Sequence, residues 1–490
     1  MRHPRKLVRD ALAMASSQYL SRAALVVRGL AAAAALGPHG YGGWNALNLI
    51  FDYGVYSAGG ALHGLDLELP PAVAQGDGAR QRRLMGGAVS AAVTGGAAFA
   101  ALVLLYVGSG GRAFAATPGW GLPLLMLAAA LLQLPFQYFA SALRALGRIQ
   151  AVSLAYVVQA GLGGALGAAL VWRWGVGGLL AAWLAGGIAA LVVMRNAGPE
   201  VPLRPGSFST ALSLARVGFP VFGYIAAMLV LRSADRLALV RHGTPEALGL
   251  YSLALMAAGL VLYVPEAAAY VLYPRFAAAR EASDARPVRS EALRAHRALM
   301  VALPLVVALA LVWAGPVVGW LLPSYRDGVA ALRVLSIGAL MYSGAVLPGY
   351  YLLAAGRGKM LFGIGAAGAV LDLALVFAVA ARDPNPLPVA AAQGLGYSLL
   401  GVGLVLLAGR EWLATPSERA ALVLSSFAPA LWGGAAALAA CAVGTSESVP
   451  ASLLRSAAVT IAYSPVLLWF GRGTGIGGLL HEWLAARTAA

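Results

Sequence analysis

Hydrophobic runs recur from one end of this chain to the other, and charge collects almost wholly in alternate gaps between them. Apolar residues make up 60% of the sequence and charged residues 11%, too little polarity to cover a water-soluble domain but suited to a chain surrounded by lipid. Stretches such as Met85 to Val107, Val152 to Val171 and Met300 to Trp320 are long enough, as helices, to cross a hydrocarbon core of roughly 30 Å. The pattern predicts an all-α, polytopic transmembrane helix bundle. With about 35 residues for each span and loop, the chain has room for about fourteen helices. They are expected at 11–36, 41–63, 85–107, 120–141, 151–172, 174–194, 211–240, 246–273, 297–320, 328–354, 359–381, 387–409, 420–443 and 452–470. Glycine is abundant, at 61 residues, as expected where helix backbones approach closely.

The charges orient the chain. Gaps holding Arg80, Arg82 and Arg83, or Arg144 and Arg148, or Arg357 and Lys359, alternate with gaps holding a lone Arg173, Arg241, Arg326 or Arg382. By the positive-inside rule the richly basic gaps and both termini are cytoplasmic. The net charge of +16 follows from these span-end residues, which face anionic lipid, so no nucleic-acid partner is expected. The single cysteine, Cys441, excludes an internal disulfide or a thiolate metal cage. The basic start, Met1 to Arg9, reads as the flank of the first span and not as a signal peptide.

Two halves look alike. Leu36-Gly37-Pro38-His39-Gly40-Tyr41-Gly42-Gly43-Trp44 joins spans one and two, and about 207 residues later His242-Gly243-Thr244-Pro245 leads into Leu248-Gly249-Leu250-Tyr251. After spans four and ten, Ala145-Leu146-Gly147-Arg148 matches Ala354-Ala355-Gly356-Arg357. The long basic connections 64–84 and 274–296 fall at equivalent places. A six-span repeat is expected, with an N-terminal lobe over 1–205, a second lobe over 206–410, and two further helices with a cytoplasmic tail over 411–490. Two such bundles facing each other leave the cleft of an alternating-access transporter. Pro70-Pro71 is expected to end one span and begin a short interfacial helix, while the prolines at 135, 220, 265, 304 and 348 should kink their spans.

Polar residues inside spans are the functional candidates, because a charge at mid-membrane costs roughly 2.5–3.5 kcal/mol on insertion scales. Span one carries Ser17, Gln18, Ser21, Arg22 and Arg28 as a polar wedge, which either lines the cleft or hydrogen-bonds neighbouring helices. Span two shows Asn45, Asn48, Asp52 and Tyr56 as a one-sided stripe, and Asp52 either lines the cleft or neutralises Arg22 or Arg28. In span seven, Arg232 can reach Asp235 and Arg236 at helical i+3 and i+4 spacing, which makes a local ion pair plausible; one Arg is left over, mirroring Arg28. The four Arg outweigh the two Asp, so the cleft suits an anionic, phosphate-bearing substrate, which guanidinium groups bind in a bidentate way. Glu266 and Asp372 are solitary acids within spans; each either couples transport to an ion or is a neutral acid bonded to a neighbouring helix.

Other chemistries are poorly represented. Gly356-Arg357-Gly358-Lys359-Met360 lacks the spacing and the Ser or Thr of a phosphate-binding loop. The six histidines are scattered without metal spacing, so neither a metal nor a cofactor is expected, and the short outer loops leave no room for an enzymatic site.

The turn Leu36-Gly37-Pro38-His39-Gly40-Tyr41-Gly42 resembles the corresponding segment of bacterial polysaccharide flippases of the Wzx type. So do Asp235 followed by Gly249-Leu250-Tyr251-Ser252, and Leu353-Ala354-Ala355-Gly356-Arg357. The likeness runs from about residue 10 to 410 and points to the multidrug/oligosaccharidyl-lipid/polysaccharide exporter superfamily. It implies a MATE-like fold of fourteen helices in a bacterial cytoplasmic membrane. It also implies transport of an undecaprenyl-diphosphate-linked oligosaccharide for exopolysaccharide, capsule or O-antigen assembly, beside a polysaccharide polymerase and glycosyltransferases. Family members are known for cationic cavities, which fits Arg22, Arg28, Arg232 and Arg236. The alternatives are a lipid II flippase, a cation-coupled multidrug exporter and a non-transporting membrane scaffold of a glycan synthase.

Overall fold

The computed structural model describes residues 4–109, 120–279, 286–443 and 448–471, with side chains from Leu20 onward apart from a few around 274–287. The described residues form helices joined by turns and short connections, with no strand among them. Twelve of the helices are long and apolar enough to cross a membrane. Two of these carry a pair of legs each, so the fourteen expected crossings are present.

The first double helix is α1 (Pro4–Gly54). Gly37 sits inside it at φ 62 and ψ 177, outside the helical region, and Pro38 opens the next leg. The chain reverses there. The Arg28 guanidinium lies 5.7 Å from the Trp44 ring, whereas sixteen residues of straight helix would separate them by about 24 Å. The same device operates in α5 (Ile149–Ala197), where Gly175 takes φ 55 and ψ −137. A Cβ on Gly163 would fall 2.9 Å from the Trp183 ring, so those two legs also run side by side.

Between them lie α2 (Ala61–Ala74), α3 (Gly78–Gly108) and α4 (Gly121–Ala145). The second crossing does not end at Pro70-Pro71 as expected. Both prolines lie inside α2, and the break comes earlier, over residues 55–60. Gly59 and Gly60 there adopt φ 60 and 88, a conformation that stops a helix, whereas the proline pair only removes two donors on an exposed face. The seventh crossing is also discontinuous, as α6 (Phe208–Leu231) and α7 (Ala234–His242) separated by Arg232 and Ser233.

The remaining helices each form one leg: α8 (Pro245–Ala279), α9 (Arg286–Leu321), α10 (Val329–Ala354), α11 (Gly358–Ala380), α12 (Pro386–Trp412), α13 (Pro416–Ala442) and α14 (Val449–Gly471). Their termini extend several of the expected spans by a turn or more, because helices continue past the apolar run into capped ends. Thr415 and Glu418 form a reciprocal capping box ahead of α13.

Two compact units result. One comprises residues to Leu229 with Gly243–Gly249; the other comprises Val230–His242 and the chain from Leu250. In the first, α2 to α5 surround a core with Phe136 and Tyr138 at its centre, and the Tyr138 hydroxyl donates to the Pro202 carbonyl. Here Gly42 and Gly249 meet the opposite segment's backbone. A Cβ on Gly42 would lie 1.7 Å from the Pro245 carbonyl oxygen, and one on Gly249 would lie 1.8 Å from that of Pro38. In the second unit, α10 and α12 approach at Gly338 and Gly394, where a Cβ on Gly338 would lie 2.4 Å from the Gly394 Cα. Tyr342 and Tyr397 stack between the same helices at 5.2 Å.

Candidate functional site

In the first unit the two legs of α1 and the second leg of α5 build an aromatic clamp around Arg28. The guanidinium carbon lies 4.7 Å from the Trp183 ring centre and 5.7 Å from that of Trp44. Stacking on indole faces satisfies the cation through their quadrupoles while leaving the N–H edges of the guanidinium free to bind in its own plane. Gly167 makes the room, since a Cβ there would sit 3.1 Å from the Arg28 Cδ. Among the described residues Arg28 has no acidic partner. Arg22 and Asp52 are half-buried on the same helix pair, and each engages neighbouring groups. Ser21 donates to the Tyr156 carbonyl at 3.2 Å, the neighbouring-helix reading for that member of the wedge. The side chains of Ser17 and Gln18 lie outside the described ones. Asn45 donates to the Tyr41 carbonyl of its own leg at 2.9 Å.

In the second unit the break between α6 and α7 organises the charged groups. The expected local ion pair of Arg232 with Asp235 does not form, because a broken helix does not present residues i and i+3 on one face. Arg232 instead meets Glu266 of α8 at 3.6 Å, so Glu266 is not solitary. The phenols of Tyr342, Tyr397 and Tyr263 lie within electrostatic range of the same guanidinium.

Asp235, fully buried in the first turn of α7, accepts from the Tyr251 hydroxyl and from the Arg236 backbone N–H, each at 2.7 Å. Arg236 is half-buried and has partners of its own.

Asp372 of α11 is fully buried and belongs to the same neighbourhood. Gln393 of α12 donates through Nε2 both to Asp372 Oδ2 at 3.1 Å and to the Leu231 carbonyl at 3.0 Å. That carbonyl would serve the Asp235 amide in an unbroken helix. Two acceptor oxygens remain without a hydrogen-bond donor, Asp372 Oδ1 and Gln393 Oε1. A Cβ on Gly396 would lie 1.7 Å from Asp372 Oδ1, so glycine is required for the carboxylate to occupy this place. Unfilled acceptors beside a freed backbone carbonyl can hold a proton or a small cation. No group of three or more His, Cys, Asp and Glu side chains suited to a metal occurs among the described residues.

The structure thus brings Asp235 and Asp372 together and pairs Arg232 with Glu266. Sequence reasoning did not anticipate Gln393, Tyr251, or the rings of Trp44 and Trp183. The available signals were an amide in the apolar run of span twelve, three residues before Gly396, and tryptophans on the legs facing span one.

Residues 120–327 match the family described as "Polysaccharide biosynthesis protein". No curated protein matches the chain by sequence. Among solved structures, the fold resembles that of the lipid II flippase MurJ in an inward closed conformation, with a TM-score of 0.71, 12% identity, and 94% of this chain covering 98% of that one. It also resembles an inward-facing multidrug resistance MATE family transporter of the MOP superfamily, with a TM-score of 0.66, 16% identity, and 84% covering 98%. The outward-facing form of such a transporter gives 0.60, 16%, and 86% covering 97%. The MATE-like fold that the resemblance implied is borne out. The solved structures so matched are transporters and a flippase, and this chain, with twelve helices long and apolar enough to cross a membrane among its described residues, is a multi-pass membrane protein.

Proposed function

We propose that this protein moves a polyprenyl-diphosphate-linked oligosaccharide from the inner to the outer leaflet of a bacterial cytoplasmic membrane, for assembly of exopolysaccharide, capsule or O-antigen. The observation that carries the reading is Arg28: a guanidinium on a membrane-spanning leg, held between two indole rings, with no acid among the described residues to neutralise it. Keeping an uncompensated charge there is costly unless an anion visits it. A diphosphate is such an anion, and the planar guanidinium matches its oxygens. Arg22 and Arg236 add positive charge, while Asp52 and Asp235 orient their neighbours. Arg232, bridged to Glu266, is a weaker anchor. The polysaccharide family match favours an oligosaccharide substrate over lipid II.

Asp372 is the proposed coupling group. Its unfilled oxygen and that of Gln393 would take up a proton or small cation beside the α6–α7 break, biasing the helix geometry there. Both termini face the cytoplasm in this scheme, transport proceeds by alternating access, and a polymerase and glycosyltransferases act on either side of the step.

The test is flipping by the purified protein in liposomes, read with a lipid-diphosphate glycan accessible to a membrane-impermeant reagent only after translocation. Arg28→Ala is expected to reduce the rate at least about tenfold, as loss of a charge-assisted contact implies, and Arg28→Lys to restore it only in part. Unchanged flipping in Arg28→Ala at equal protein level would end the reading. Asp372→Asn is expected to abolish dependence on an imposed ion gradient; a gradient response equal to wild type would remove Asp372 from that role.

A further inference from the structure

The first unit contains a cavity of about 320 Å³ that the diphosphate reading does not use. It lies among α2, α4, α5 and the turn after Gly54, and it is walled entirely by residues of that unit. At one side are Asp66 and Arg144, with side chains 40% and 35% exposed. Deeper in are Gln133, Phe136 and Ser141, all buried.

Its charges are internally balanced. The Arg144 guanidinium donates to Asp66 Oδ1 at 2.9 Å, and the Ser141 hydroxyl donates to the same oxygen at 2.6 Å. An anion gains little beside an arginine already paired, and an organic cation gains little beside a carboxylate already neutralised. Because both bonds fall on Oδ1, Oδ2 is left to accept from a ligand hydroxyl.

The rest of the lining is amide, phenol, the His63 imidazole and apolar surface. Gln137 donates to the Val55 carbonyl at 3.1 Å and keeps its own carbonyl as an acceptor. Gln133, 7% exposed, has an amide nitrogen with no hydrogen-bond partner. A buried amide without a partner is unusual enough to need a reason, and a half-turn of its terminal torsion lets it present either a donor or an acceptor. Phe136 and Tyr156 meet edge to face at 5.1 Å beside these groups and offer apolar ring surface. Paired amide and carboxylate groups next to aromatic surface recognise vicinal hydroxyls on one edge of a ring and C–H groups on its face. The volume lies at the small end of ligand pockets, about 300–1,000 Å³.

We propose that this cavity binds one uncharged sugar ring of the transported glycan, with Gln133, Gln137 and Asp66 reading its hydroxyls. The proposal rests on the glycan-transport reading and adds a sugar-selecting subsite separate from Arg28.

The test uses the full chain in lipid nanodiscs. Cys441→Ser removes the sole cysteine, and His63→Cys then places a reporter thiol in the cavity wall. Methyl glycosides of glucose, galactose, mannose and N-acetylglucosamine are titrated against maleimide labelling, and saturation-transfer NMR on the wild type follows the same sugars. At least one glycoside is expected to slow labelling saturably and to receive saturation transfer. Gln133→Ala should weaken that binding about tenfold, the effect of losing one buried hydrogen bond, while Arg28→Ala leaves it unchanged. Absence of saturable transfer from every glycoside would overturn the subsite, as would transfer that is equal in wild type and Gln133→Ala. Gln137→Ala stands in if the Gln133 variant fails to fold. Sugar binding without flipping would refute the transport reading and keep the pocket; flipping without sugar binding would do the reverse.

Discussion

At the scale of single residues, glycine and arginine are used for opposite reasons. Gly396 supplies an absence, the space taken by Asp372 Oδ1. Gly396→Ala is therefore expected to lower thermal stability by about 1–3 kcal/mol or to expel the carboxylate. Gly403→Ala on the same helix meets nothing within 4 Å and should be neutral or slightly stabilising. Comparison of the two melting temperatures in detergent checks this, and equal values would contradict the packing. Arg28 was legible as a candidate because a charge in an apolar run stands out. Its indole clamp was not, since Trp44 and Trp183 lie 16 and 155 residues away, and only the two reversals bring them together.

At the scale of elements, the chain breaks its helices by two routes, and only one of them shows in sequence. Gly37 followed by Pro38 announces a reversal, and the structure places one there. The gap at Arg232 and Ser233 carries neither glycine nor proline, so a continuous span over 211–240 was the natural reading. It opens because tertiary partners take over the freed groups, as Gln393 does for the Leu231 carbonyl. Residues 55–60 fall between: Gly59-Gly60 is visible as a glycine pair, but the apolar flanks concealed the stop. Gly37 faces open space, so the penalty for replacing it is purely conformational. Gly37→Ala and Gly37→Asn should both lower stability, each by about 1–3 kcal/mol, because φ 62 with ψ 177 is a backbone region open essentially to glycine alone. Chemical or thermal unfolding of the two variants measures the cost, and wild-type stability in either would show that the turn relaxes to another backbone conformation.

At the scale of the whole molecule, hydropathy made the all-α membrane fold and its fourteen legs readable, because lipid imposes one rule on every span. Charge balance within the cluster of Asp235, Asp372 and Gln393 was not readable, because its members come from three separated helices. The proposed orientation predicts distinct labelling faces. On a Cys441→Ser background, Arg326→Cys should react with an impermeant maleimide from outside intact cells, and Arg82→Cys only after permeabilisation. Reversed accessibility would invert the topology.

Pro38 with Gly42 and Pro245 with Gly249 face each other so that each proline's carbonyl fills the hollow left by the other's glycine. Such a joint is keyed from both sides. A methyl added on either strand of the junction has nowhere to go, and no trimming opposite can make room, because the obstacle is main chain and glycine is already the smallest residue. The two segments can drift in sequence everywhere around this point, yet at the joint itself neither has a second-site remedy.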